Sequence, residues 1–148
     1  MLISLPPIAN YGAFRTWRAA ANPIAIARDI ARSHGLACDA PHLFATGTNI
    51  VVALDERLIL KLFPPMLRAQ FASERLSLSH LCGRFSLPIP EIVAEGERDG
   101  WPYLVITRLA GVLGSEAWPR LPEAQKERVL GEIGATIAEV QRVPPRIR

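Results

Sequence analysis

At 148 residues, with 49% apolar and 21% charged side chains, the chain can bury one substantial core, which excludes a disordered polymer. Its formal charge of +3 is the difference between 17 basic and 14 acidic residues scattered without a long basic run; with 7% aromatics this gives slight support for anionic ligands and none for nucleic acid. Cys38 and Cys82 make neither a disulfide framework nor a metal motif, and the three histidines lack ligand spacing, so a reducing cytoplasm is expected. The opening MLISLPPIANYGAF does not read as a signal peptide, and no window approaches a membrane span.

In the first forty residues one element stands out. NPIAIARDIARSHG carries Asn22 as a cap, Pro23 at the first helical position, an apolar face through Ile26 and Ile30, and Gly35 as a left-handed stop. The periodicity then changes. LFAT, NIVVAL and RLILKLF are short, rich in branched residues and separated by Gly47 and by a turn at Asp55 to Arg57, which predicts three antiparallel strands. A helix follows from Met66 to about Gly83, then a hairpin turning at Asp99-Gly100. RLAGVLGSEAWPRL reads as a linker. A last helix opens at Pro122 and ends before Pro144, with Leu130, Ile133, Ile137 and Val140 on one stripe.

Within LILKLFPP, Lys61 interrupts an apolar strand. Alternation puts Leu58, Leu60 and Leu62 on one face and Ile59, Lys61 and Phe63 on the other, so both faces read as buried. An ammonium there must reach water or meet an anion, because an unpaired buried charge is costly. On the next helix, Leu67, Phe71, Leu78, Leu81 and Phe85 form a stripe whose missing position is Glu74. Each charge answers the other. Two plainer readings stay open: Lys61 on an edge strand with its amine in water, and Glu74 pairing on the surface with Arg68 or Arg75.

In order and spacing, ATGTNIVVAL, LILKLF, SERLSLSHL, LPIPEIVAEGE and YLVITRLAG resemble the amino-terminal lobe of the aminoglycoside phosphotransferase and choline kinase-like family, within the protein kinase-like fold, from about Leu43 to Val143. The fold implied is α+β: a five-stranded antiparallel sheet with one packed helix, plus leading and trailing helices. The implied organisation is a leading segment over 1–40, a nucleotide-binding lobe over 41–110, and a linker with the first helix of a second lobe over 111–148. By this resemblance the loop from Thr46 through Gly47, Thr48 and Asn49 would cover the triphosphate of ATP, and Lys61, oriented by Glu74, would contact its α and β phosphates. Gly47 and Asn49 read equally as turn residues. Adenine would meet the backbone at Thr107, Arg108 and Leu109, with Val52, Ala53 and Ile106 as apolar walls. Family members often carry an acidic residue where Thr107 stands.

The family also implies a catalytic-loop aspartate in an H-x-D setting and further ligands for magnesium. The three histidines read HGL, HLF and HLC, and Asp29, Asp39, Asp55 and Asp99 lie outside any such loop. The expectation is therefore the ATP-binding half of a small-molecule O-phosphotransferase, truncated and not catalytically competent alone. A complementing second lobe, or self-association, would cover the helix over 122–143. A non-catalytic nucleotide-binding module and a non-functional remnant or interaction domain are the alternatives.

Overall fold

The computed structural model describes residues 3–45 and 47–145. Two compact units divide the chain, Met1–Ser79 with Pro90–Arg108 and His80–Ile89 with Leu109–Arg148. The first contains an antiparallel sheet of β1 (His42–Phe44), β2 (Ile50–Ala53), β3 (Leu58–Leu62), β4 (Ile92–Arg98) and β5 (Trp101–Thr107), in the order β1-β2-β3-β5-β4. The α+β class with a five-stranded sheet is as expected. Two turns set its registers. Asp55 Oδ1 accepts the amides of Arg57 and Leu58 at 2.7 and 2.8 Å, closing β2 onto β3. Asp99 and Gly100 take φ values of 49° and 83°, the left-handed pair that a two-residue hairpin requires between β4 and β5.

The alternation read in β3 is real, and both faces are covered. Leu60 and Leu62 join Ile50, Val52, Tyr103 and Val105 in a core shared with α1 (Tyr11–Ala20) and α2 (Pro23–Ser33). Phe63, Leu104 and Ile106 make the second core, against Leu67, Phe71 and Leu78. The last two belong to α3 (Arg68–Leu81), which a single 3₁₀ turn at Pro65–Leu67 precedes. Asn22 caps α2 through a 3.1 Å bond from the Ala25 amide, with Pro23 in the first turn.

The leading segment holds two helices, where the sequence reading finds one. α1 carries only Phe14 and Trp17 as large inward residues, too few for a clear stripe, yet Asn10 caps it through the Ala13 amide at 2.9 Å. Its stability is tertiary: Trp17 packs at a tilt against the fully buried Trp101, with ring centroids 4.7 Å apart. The chain before α1 is tied down as well. Asp29 Oδ2 accepts the Ile3 amide, Asp99 Oδ2 accepts the Leu5 amide, and Trp101 Nε1 donates to the Pro6 carbonyl, each at 2.8 Å.

In the second unit, the stretch read as a linker contains α4 (Gly114–Ala117) and a 3₁₀ turn at Trp118–Arg120, whose apolar residues are too few to show a period. α5 (Glu123–Arg142) follows, and Glu139 accepts the Ser86 amide at 2.6 Å. Its stripe is exposed, from 39% at Val140 to 57% at Leu130. No helix among the described residues is long and apolar enough to cross a membrane.

Candidate functional site

Lys61 lies at the centre of the sheet. Its backbone is paired with Val51 of β2 on one side and Leu104 of β5 on the other, so the edge-strand reading is excluded. Parity along β3 turns its side chain toward α3. There Phe71, Glu74 and Leu78 follow at helical spacing, and each is half-buried while its flanking residues are exposed. Lys61 Nζ donates to Glu74 Oε1. The two side chains keep 21% and 24% of their exposure, so the pair is shielded and still reachable from solvent. The ammonium also stands 5.6 Å from the ring centroid of Phe63, which limits its swing on one side.

The rival partners of Glu74 are engaged elsewhere. Arg75 makes a bidentate pair with Glu95 at 2.6 and 2.8 Å, and Arg68 reaches Glu97 at 2.8 Å. Hydrogen bonding from Arg75 holds the Glu95 carboxyl below its ordinary range against the opposing effect of burial, and Arg68 does the same for Glu97. The sequence reading missed both glutamates. The signal was present, because Glu95 and Glu97 share one strand face and Arg68 and Arg75 lie two helical turns apart.

Of the glycine loop, Thr46 lies outside the described residues. Gly47 has φ 125°, a conformation that side chains disfavour, and its carbonyl accepts from Arg18 Nη1 at 2.9 Å. Thr48 is exposed, and Asn49 is buried at 6% where the loop enters β2. The loop is anchored at one end and open in the middle.

Thr107 and Arg108 are more committed than the sequence suggests. The Thr107 amide donates to the Glu91 carbonyl at 2.9 Å, the Thr107 hydroxyl accepts the Glu91 amide at 2.9 Å, and the Arg108 amide donates to the Arg57 carbonyl at 2.7 Å. These two amides are therefore not free donors. Leu109, which begins the second unit, is 44% exposed. Val52 pairs with Leu60 and belongs to the core on the α1 and α2 side, so it cannot form a wall beside Lys61. Ala53 and Ile106 share the Ile59 row and do lie on the Lys61 face.

Among the described residues no group of three or more His, Cys, Asp or Glu side chains gathers to hold a metal ion. Three aspartates serve the scaffold: Asp29 meets Arg32 and Arg98, Asp55 shapes a turn, and Asp99 holds Leu5. What remains is a lysine-glutamate pair on a central strand and the helix packed against it, in one unit with an open glycine loop. Such a set can bind and orient an anionic ligand. Compared with curated proteins, the chain matches none. A family model described as phosphotransferase enzyme family matches residues 45–148.

Proposed function

The chain belongs to the phosphotransferase enzyme family, and on that premise we propose that it is the ATP-binding portion of a transferase that phosphorylates a hydroxyl on a small molecule of aminoglycoside or choline-like type. One observation carries the reading. Lys61 and Glu74 select each other although Arg68 and Arg75 stand on the same helix as Glu74, because those arginines are bound to Glu97 and Glu95.

In this reading the Lys61 ammonium neutralises charge on the α and β phosphates, and Glu74 keeps that ammonium in place when no nucleotide is present. The loop of Gly47, Thr48 and Asn49 lies over the phosphates, and the chain at Thr107, Arg108 and Leu109 borders the base. In this reading the chain supplies no ready magnesium ligand set, because Asp29, Asp55 and Asp99 are bonded within the scaffold and no acidic cluster gathers among the described residues. The sequence has no H-x-D, so the role assigned to this chain is binding without turnover of its own.

Calorimetry with magnesium-ATP tests the reading on the wild-type chain, Lys61→Ala and Glu74→Ala. The expected result is wild-type binding that weakens by roughly tenfold or more in both variants while both stay folded. A folded wild-type chain that takes up no ATP would leave Lys61 as a structural ion-pair partner and overturn the proposal.

A further inference from the structure

α1 delivers one side chain to the glycine loop. Arg18, in the last turn of α1, sends Nη1 to the Gly47 carbonyl at 2.9 Å and Nη2 to the carbonyls of Ala45 and Phe44 at 3.0 and 3.3 Å. Three backbone acceptors of one short segment thus converge on a single guanidinium, whose planar fork is suited to several at once. The side chain is itself steadied. It passes over the ring of Phe14, one turn earlier and only 2% exposed, with its central carbon 5.9 Å from the ring centroid.

The direction of these bonds has a geometric consequence. In a trans peptide the carbonyl and the following N–H point to opposite sides of the chain. No cis bond occurs among the described residues. With the Gly47 carbonyl held toward Arg18, the Thr48 amide must point away from α1. That amide belongs to an exposed residue next to a glycine at φ 125°.

We propose that Arg18 is a positioning residue for nucleotide binding, which fixes the glycine loop by its carbonyls so that the Thr48 amide is presented to a phosphate oxygen. The role rests on the ATP-binding reading above. It assigns to α1 a part in ligand affinity and makes the leading segment a working element of the site. Arg18 touches no phosphate in this account. It determines which way the loop's donors face, and a loop released from it must be ordered again by each ligand that arrives.

The test compares magnesium-ATP with adenosine, by calorimetry, on the wild type, Arg18→Met and Arg18→Lys, with Lys61→Ala as reference. Arg18→Met keeps the stem against Phe14 and removes every donor. It is expected to raise the ATP Kd roughly tenfold and leave the adenosine Kd unchanged, with Arg18→Lys recovering part of the loss. An unchanged ATP Kd in folded Arg18→Met would overturn the proposal, as would equal weakening of ATP and adenosine, which marks a purely structural role. Loss of ATP binding in Lys61→Ala alone would retain the nucleotide reading and reject Arg18; no ATP binding by the wild type would reject both. If Arg18→Met does not fold, the wild type decides by NMR. The Thr48 amide resonance should shift on saturation with magnesium-ATP, and an unmoved resonance would overturn the role.

Discussion

Tyr103 of β5 sits directly across the hairpin from Gly96 of β4, and its phenol occupies the space that a side chain at Gly96 would need. A Cβ there would come within 2.4 Å of the Tyr103 oxygen. The ring cannot move freely, because its hydroxyl bonds to His34 Nε2 at 2.8 Å and the residue is 7% exposed. Gly96→Ala should therefore destabilise the protein by about 1–3 kcal/mol, read as a lower urea midpoint. Tyr103→Phe in the same background should not restore it, since a Cβ would still meet the ring carbon Cζ at 2.7 Å. Unchanged stability in Gly96→Ala would show that the hairpin yields where the packing says it should not.

The Lys61–Glu74 pair should behave as a unit. Lys61→Met leaves a half-buried carboxylate alone, and Glu74→Gln leaves a half-buried ammonium. A double-mutant cycle on unfolding free energy should return a coupling of about 1–3 kcal/mol, with the double variant more stable than the sum of the singles implies. Simple additivity would mean the two side chains reach water separately.

The arginine-glutamate pairs between α3 and β4 predict an acid-side dependence of stability. Both carboxyls are held below their ordinary value of 4.5 by hydrogen bonds from Arg75 and Arg68. A depressed folded-state value contributes stability that is fully present above the unfolded value and lost as pH falls through the folded one. Unfolding curves of Glu95→Gln and Glu97→Gln should therefore differ from the wild type above pH 4.5 and converge with it in stronger acid. The difference should shrink in high salt, because these groups are exposed. A difference that persists at low pH would contradict the ion-pair origin.

The two cysteines should label at different rates. Burial pushes the Cys38 thiol above its ordinary value, against the lowering influence of Arg28, whereas Cys82 lies exposed. A thiol-reactive disulfide at mildly alkaline pH should modify Cys82 first. Arg28→Ala should slow Cys38 further in a Cys82→Ser background. Faster reaction at Cys38 would show that its thiolate is the favoured form.

Much of the first unit was legible in the sequence because its signals were local. The two-residue period of LILKLF, the Asp99-Gly100 turn, the Asn22-Pro23 cap and the vacancy that Glu74 fills on its helix each state their structure within a few residues. α1 was not legible, because its stability comes from packing against Trp101, more than eighty residues later in the chain. Arg18 was hidden too, at a separation of 27 to 29 residues, because its partners are backbone carbonyls that leave no mark on composition. Val52 was misplaced although the signal existed: it follows Val51, the neighbour of Lys61, and strand alternation turns it to the other face. The bonds of Thr107 and Arg108 to Glu91 and Arg57 depend on registers between segments, which single-strand patterns do not fix.

Strand β3 is gripped like a beam built into two walls, with packed cores above and below and a hydrogen-bonded neighbour along each edge. A lysine on a loop would have to be captured from many positions by whatever anion it meets. Lys61 is held to one, and the loss of freedom was incurred when the sheet formed. If Lys61 receives a phosphate as proposed, the incoming anion would meet a lysine whose backbone is already fixed, and the strand would not yield to errors of shape in the ligand.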